Sequence, residues 1–131
     1  MKTINPSELS PLQVQMILQT AVSPRPIALA STIDKNANVN LSPFSFFNLF
    51  SSNPPILIFS PARRVRDNST KDTLHNVLEV PEVVIGNVNF DMVQQVSLSS
   101  TEYETGVDEF IKSGWRCKDN YVSLNKKDGN I

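Results

Sequence analysis

The chain has 131 residues, with 12 basic and 13 acidic side chains and a net charge of −1. This length allows one domain, and the charge balance offers no field of one sign to a nucleic acid or an anionic membrane. One cysteine, one histidine and four glycines exclude a disulfide framework, a multi-histidine metal centre and a glycine-rich phosphate loop. No secretory signal is recognisable, so we expect a cytoplasmic protein without a metal, nucleic-acid or membrane partner.

The first predicted element is a helix that begins at Pro11. Ser10 provides an N-cap, proline suits the first helical position, and Gln13 completes a capping box. Two prolines soon afterwards end the helix by Val22.

A β-hairpin is predicted over residues 26–42. The apolar run 26–33 is typical of a buried strand, and residues 39–41 return as its partner. The turn 34–38 is rich in Asp and Asn, which adopt positive φ where glycine is lacking. Residues 42–55 fit neither helical nor strand periodicity.

The remaining elements alternate between strands and short helices. We predict a strand over 55–60, a loop over 61–69, a helix capped by Ser69 or Thr70 that ends before Pro81, and a strand over 82–88. A short helix capped by Asp91 follows, and another over 107–112 is stopped by Gly114. Four strands and three or four short helices predict a mainly β, α+β fold: an antiparallel β-barrel with helices at its edges.

A basic cluster lies between a predicted strand and a predicted helix. Its members fall within nine positions and are Arg63, Arg64, Arg66 and Lys71. Four hydroxyl residues accompany them: Ser60, Ser69, Thr70 and Thr73. Guanidinium groups, hydroxyls and free backbone N–H groups at a helix start are the donors that bind a phosphate monoester. The alternative is a solvated loop whose charges face water.

The phenylalanine-rich segment is the second candidate site. Within residues 42–48, Ser and Asn alternate with Phe, so apolar faces and hydrogen-bonding groups lie close together. Such a surface suits a flat, partly polar ring. The alternative is that Phe44, Phe47 and Phe50 belong to the core.

Candidate nucleophiles and bases are scarce. His75 lies in a predicted helix with no general-base constellation around it, and Cys117 has neither a partner histidine nor a second cysteine. We therefore assign no catalytic side chain.

Five strings of this sequence resemble the flavin reductase-like family, which has the FMN-binding split-barrel fold. They occur in the family's order between residues 24 and 114, and they are Pro24–Thr32, Asn40–Asn48, Ser52–Ser60, Lys71–Asn76 and Thr105–Phe110. The resemblance implies a homodimer that holds FMN near the subunit interface and uses NAD(P)H as electron donor. In some relatives a monooxygenase partner receives the reduced flavin.

The resemblance also implies which residues bind the cofactor. Those implied for the flavin ring and ribityl chain are Ser31, Thr32, Ser45, Phe46, Phe47 and Asn48. Those implied for the phosphate are Ser60, Arg63, Lys71 and Thr73. Both sets coincide with the candidates above. The flavin carries the hydride chemistry, which explains why no catalytic dyad is needed.

The sequence departs from the family at two places. Ala37 stands where relatives often carry glycine, and residues 115–131 match nothing in the strands with which relatives continue. The expected fold is thus an incomplete split barrel, with residues 1–114 as the N-terminal portion of the family's domain and 115–131 as a divergent, disordered tail. The expected function is that of an FMN-binding NAD(P)H:flavin oxidoreductase. The alternatives are a truncated, non-catalytic flavin-binding and dimerising module, or a β-domain that binds another phosphorylated ligand.

Overall fold

The computed structural model describes residues 3–64, 67–101, 103 and 107–115, together with the backbone of residues 122–125. The strands in this part of the chain are β1 (Ala28–Ile33), β2 (Val39–Phe44), β3 (Phe47–Ser52), β4 (Pro55–Phe59), β5 (Glu82–Asn87) and β6 (Val122–Asn125). The helices are α1 (Pro11–Ala21), α2 (Asp72–Glu79), α3 (Val93–Ser99) and α4 (Glu109–Ser113). Single 3₁₀ turns lie at Pro6–Glu8 and Phe90–Met92.

The strands form two antiparallel units. Four of them make a sheet in the order β2-β1-β5-β6, and β3 and β4 form a separate hairpin. Strand β1 is central, pairing with β2 from Ala28 opposite Phe44 to Ile33 opposite Val39. Its first three residues are buried because both faces of the sheet are covered at this point.

One face of the sheet packs against the hairpin. Since side chains alternate along a strand, Ala28 and Ala30 lie on the same face of β1, and they cluster there with Phe44 of β2 and Ile85 of β5. The hairpin contributes Phe47, Leu57 and Phe59 to this cluster, and the rings of Phe44 and Phe59 lie 5.2 Å apart, centroid to centroid. The small alanines let the hairpin approach the sheet closely.

The opposite face packs against the C-terminal helices. Leu29 of β1 and Leu41 of β2 form a second cluster with Phe110 of α4, and Val88, Met92 and Trp115 pack around it. Asp108 caps α4 by accepting hydrogen bonds from the Phe110 and Ile111 amides, and Gly114 ends the helix at a φ of 72°. The predicted stop at Gly114 is confirmed.

Helix α2 is joined to the sheet by two buried polar pairs. Asn40 Nδ2 donates to Thr73 Oγ1 over 2.9 Å, and Asn76 Nδ2 donates to Thr32 Oγ1 over 3.2 Å. Asn40 and Thr32 are direct partners across β2 and β1, so both hydrogen bonds leave the same face of the sheet. These pairs fix how α2 lies on the two strands.

The mainly β fold with short helices is confirmed, and four of the six described strands were predicted. Helix α1 begins as expected: Ser10 Oγ accepts from the Gln13 amide over 3.3 Å, and Gln13 Oε1 accepts from the Ser10 amide over 2.9 Å. The irregular structure expected over residues 42–55 is wrong, because this segment contains the end of β2 and all of β3. The cap expected for α2 is also wrong, since Lys71 is its N-cap and no side chain bonds there.

The turn between β1 and β2 differs from its prediction in one detail. Asp34 Oδ1 accepts from the amides of Asn36 and Asn38, each over 2.8 Å, and these bonds hold the turn closed. The positive φ falls on Ala37, at 65°, rather than on an asparagine. A residue with a Cβ atom therefore occupies the conformation that glycine adopts at least cost.

Residues 122–125 of the expected tail pair with β5, from Val122 opposite Ile85 to Asn125 opposite Glu82, and the rest of 116–131 lies outside the described residues.

Among the described helices, none has the length and apolar character required to cross a membrane.

Candidate functional site

The loop between β4 and α2 is folded tightly by its own backbone. The Arg64 amide donates to the Ser69 carbonyl and the Asn68 amide donates to the Arg64 carbonyl, both over 2.9 Å. Asn68 adopts a φ of 57°, and Asp67 Oδ1 accepts from the Ser69 amide over 2.9 Å. This geometry brings Arg63 and Lys71, at the two ends of the loop, to the same cleft.

The Arg64 side chain braces this loop against α2. Its Nη1 donates to the Thr70 carbonyl over 2.6 Å, and its Nη2 lies 3.2 Å from Asp72 Oδ2 in an ion pair. The bonds fix the position of the first residue of α2 relative to the loop. Arg64 thus uses both of its Nη atoms as donors in hydrogen bonds within the protein.

Arg63 and Lys71 bring positive charge to the cleft. Arg63 is exposed and donates from Nη1 to the Asn68 carbonyl over 2.9 Å. Lys71 Nζ lies 5.1 Å from the centroid of the Phe44 ring, a cation–π contact that directs the ammonium toward the aromatic end of β2. Because none of the described side chains caps α2, its first backbone N–H groups add a further partial positive charge beside Lys71.

The cleft has two adjacent compartments. The basic compartment has a volume of about 440 Å³ and is lined by Gln15, Gln19, Pro43, Phe44, Ser45, Phe46, Ser60, Ala62, Arg63, Arg64 and Lys71. The aromatic compartment has a volume of about 360 Å³ and is lined by Val22, Pro24, Arg25, Pro26, Ser45, Phe46, Phe47, Asn48, Phe50, Ile58 and Ser60. Ser45, Phe46 and Ser60 belong to both linings, so the compartments lie side by side. Each falls within the range of about 300–1,000 Å³ that is usual for small-molecule sites.

Seven of the ten cofactor-binding residues predicted from the sequence line this cleft. Five are in the basic compartment: Ser45, Phe46, Ser60, Arg63 and Lys71. Phe47 and Asn48 are in the aromatic compartment. Phe46 is 38% exposed, which leaves part of its ring accessible as a flat apolar wall.

The other three predicted residues lie in the sheet and at the start of α2. Thr32 and Thr73 are buried, and each accepts the hydrogen bond from an asparagine described above. Ser31 lies in β1 between Leu41 of β2 and Val84 of β5, and it is half-buried. None of these three lines either compartment, and a role for them in binding stays a prediction.

Two other residues that the sequence singled out lie apart from the cleft lining. His75 is exposed, with Nε2 2.6 Å from Thr70 Oγ1, so its ring is held against the basic loop. Arg66 and Cys117 lie outside the described residues.

Three polar residues of the cleft were missed by the sequence reasoning. Gln15 and Gln19 are four residues apart, which places both on one side of α1, and that spacing is a signal that could have marked them. Arg25 lies within the first of the five strings, but the resemblance implies no role for it, although it lines the aromatic compartment. Its function depends on contacts with residues that the string alone does not reveal.

A half-buried carboxylate lies near the start of α2. Glu109 Oε2 accepts from the Leu41 amide over 3.3 Å, and Glu109 lines two cavities, of about 110 and 370 Å³, together with Asn40, Asp72 and Tyr103. Burial raises the pKa of Glu109, and the nearby carboxylates of Asp72 and Asp108 add to this effect. Asp34, in the turn after β1, shows the opposite behaviour, since the hydrogen bonds from Asn38 lower its pKa.

Comparison with known sequences finds curated relatives that are all longer than this chain. The chain is 41% identical over 93 residues to an uncharacterized protein of Aquifex aeolicus, a match that covers 71% of this chain and 47% of that protein. It is 39% identical over 97 residues to an uncharacterized protein of Halalkalibacterium halodurans, covering 74% and 46%. The chain therefore spans about half the length of the curated relatives it matches. No protein-family model matches it.

Solved structures define the fold. Nitrilotriacetate monooxygenase component B from Bacillus cereus superposes with a TM-score of 0.80 at 26% identity, over 87% of this chain and 55% of that one. The 2-nitrobenzoate 2-nitroreductase of Pseudomonas fluorescens gives a TM-score of 0.72 at 26% identity, over 86% and 52%. A proposed flavin reductase with a split-barrel domain from Shewanella frigidimarina gives 0.67 at 22% identity, over 82% and 52%.

The resemblance to the flavin reductase-like family is thereby confirmed. The described residues have the split-barrel fold of these proteins and account for about half of it. The fold is one on which flavin-related oxidoreductases are built.

Proposed function

We propose that the chain binds FMN in the two-compartment cleft and acts as an NAD(P)H:flavin oxidoreductase. The observation that carries this proposal is the polarity of the cleft. It has three phenylalanines and Arg25 at one end, and three cations beside the helix start of α2 at the other, where one of them, Arg64, is paired with Asp72. FMN has the same polarity, with a flat ring at one end and a phosphate at the other. The names of the solved relatives, which include a flavin reductase and a monooxygenase component, support the same assignment.

The residues of the cleft fit this cofactor in both compartments. Phe46 would support the ring, and Ser45, Asn48 and Ser60 would supply hydrogen bonds to its polar edge and to the ribityl hydroxyls. Arg63 and Lys71 would hold the phosphate, each through charge-assisted hydrogen bonds. Thr32 and Thr73 would act indirectly, because their hydroxyls fix α2 on the sheet and so set the position of Lys71.

The protein's part in the reaction is binding and orientation. The bound flavin would supply the hydride chemistry, and the chain would hold it with one ring face open to a nicotinamide. No side chain is assigned a proton-transfer role. We further propose that the reduced flavin serves a partner monooxygenase, and that the enzyme is cytoplasmic, in keeping with its single cysteine.

We also propose that the chain works as a homodimer. The hairpin β3–β4 exposes four large apolar side chains, which are Leu49, Phe50, Ile56 and Ile58, each at 41% exposure or more. A two-stranded hairpin with such a surface is stabilised when a further layer covers it. A second copy of the chain would provide that layer beside the aromatic compartment, to which Phe50 and Ile58 already belong.

Anaerobic titration with NADH and NADPH tests the oxidoreductase proposal. The protein loaded with FMN should lose the visible absorption band of the oxidised flavin on addition of one of these donors, and air should restore it. A flavin that binds and is reduced by neither donor would contradict the enzyme assignment and favour the non-catalytic flavin-binding module.

A further inference from the structure

Arg25 joins three parts of the molecule that meet at the aromatic compartment. It lies between α1 and β1, and its Nη1 donates to the carbonyls of Gln19 and Val22 over 2.8 and 2.9 Å. These carbonyls belong to the last turn of α1 and to the residue after it, where a helix leaves its acceptors unsatisfied. One nitrogen of the guanidinium thus satisfies two backbone carbonyls at the C-terminal end of α1.

The same guanidinium lies over the wall of the cleft. Its Cζ is 5.9 Å from the centroid of the Phe46 ring, within the range of a cation–π contact. Its Nε is buried and has no hydrogen-bond partner among the described residues, although a guanidinium nitrogen usually finds one. The guanidinium of Arg25 thus contacts the Phe46 wall of the cleft as well as the end of α1.

Phe46 is the residue whose orientation matters for a ring-shaped ligand. It is shared by both compartments and it is partly exposed, so its ring defines the surface between them. Ser60 lies on the same boundary, and its amide donates to the Phe46 carbonyl over 2.9 Å, which fixes the backbone of Phe46 but leaves its ring free to turn. The contact with Arg25 restrains that ring.

We propose that Arg25 is the positioning residue of the flavin-ring end of the cleft, acting through Phe46. This inference rests on the proposed function, and it assigns to Arg25 a role that is separate from phosphate binding. Arg25 lines the aromatic compartment and is absent from the lining of the basic compartment, where Arg63 and Lys71 lie. Its loss should therefore weaken any ligand that carries the ring, whether or not the ligand carries a phosphate.

Three ligands and three variants separate this role from a structural one. The ligands are FMN, riboflavin and lumiflavin, which share the ring and differ in the ribityl chain and the phosphate. The variants are Arg25→Met, which keeps an unbranched side chain without the charge, Arg25→Lys, which keeps the charge, and Ser10→Ala. The last removes the capping box at the other end of α1, so it destabilises the same helix without touching the cleft.

The expected result is a uniform loss in the Met variant. Its dissociation constants for all three ligands should rise by a similar factor of about 5 to 10, as expected for loss of one partly buried cation–π contact and its ordering effect. Arg25→Lys should recover part of the loss, since an ammonium also binds the face of a ring. Ser10→Ala should lower Tm and leave the lumiflavin dissociation constant unchanged.

Two outcomes would overturn the inference. A Met variant that loses Tm and binds lumiflavin within twofold of the unaltered protein would show that Arg25 serves only as a helix cap. A loss confined to FMN would place Arg25 at the phosphate instead. If the Met variant does not fold, Arg25→Gln takes its place in the same comparison, because glutamine can still donate a hydrogen bond to a carbonyl at the end of α1 but carries no charge. Failure of the unaltered protein to bind all three ligands would instead refute the proposed function.

Discussion

Removal of Arg63 and Lys71, two of the three cations that line the basic compartment, should separate FMN from riboflavin. The two ligands differ only in the phosphate, so a side chain that binds the phosphate has no effect on riboflavin. Arg63 and Lys71 line the compartment and lie at opposite ends of the loop, and neither belongs to the aromatic compartment. The double variant Arg63→Ala/Lys71→Ala is therefore expected to lose FMN selectively.

The size of the effect follows from the exposure of the two side chains. A hydrogen bond to a charged group contributes about 1.5–3 kcal/mol. Because Arg63 is exposed and Lys71 is half-buried, the lower figure applies to each, giving about 3 kcal/mol for the pair. At about 1.4 kcal/mol for each factor of ten, the FMN dissociation constant should rise about 100-fold, and the riboflavin constant should change less than threefold.

Flavin fluorescence titrations at two ionic strengths measure both constants. The control is Lys35→Ala/Lys112→Ala, which removes the same charge from two positions outside the cleft and should leave both ligands unaffected. Raising the salt concentration should weaken FMN binding to the unaltered protein more than to the double variant. Equal losses of FMN and riboflavin in the double variant would refute the phosphate assignment.

Three further predictions concern stability, pH and assembly. Ala37→Gly should raise the free energy of unfolding by about 0.5–1 kcal/mol and Tm by about 2–4 °C. The reason is that glycine relieves the positive φ at this position, and this gain outweighs the added freedom of glycine in the unfolded chain. An unchanged or lower Tm in calorimetry would contradict this prediction. Since the pKa of Glu109 is raised in the folded state, the folded protein holds its proton more tightly, and stability is lost as the pH rises from the ordinary value of 4.5 through the folded pKa. Urea unfolding should accordingly show Glu109→Gln gaining stability relative to the unaltered protein between pH 4 and pH 7, and a difference independent of pH would refute this sign. Phe50→Asp should convert the proposed dimer to monomers in sedimentation experiments, whereas a dimer that persists would place the interface elsewhere than on the hairpin.

The elements that sequence reasoning predicted are those specified by local chemistry. The capping box of Ser10 and Gln13 marks the start of α1, and Gly114 marks the end of α4, because each feature acts within a few residues of itself. Strand β3 was missed because its burial does not alternate. Phe47 contacts the sheet cluster, whereas Leu49 and Phe50 are exposed on a hairpin that meets the rest of the protein at one end.

The same distinction applies to the cleft. Clustering of arginines before a helix start indicated the basic compartment, because a loop and the helix after it are neighbours in the chain. Arg64 differs from Arg63 because it forms an ion pair with Asp72. The buried Thr32 accepts a hydrogen bond from Asn76, which is 44 residues away in the chain. Arg25 was missed for the same reason, since its contact with Phe46 joins two connecting segments, one between α1 and β1 and the other between β2 and β3.

Flavin retention by the purified protein tests the central proposal. The protein is mixed with an excess of FMN, passed through a gel-filtration column, and its visible spectrum is recorded against its concentration. We predict the absorption band of oxidised flavin in the protein peak at a ratio of about one FMN per chain, with the Arg63→Ala/Lys71→Ala variant emerging largely colourless. A colourless peak from the unaltered protein would contradict the assignment of this cleft as a flavin site.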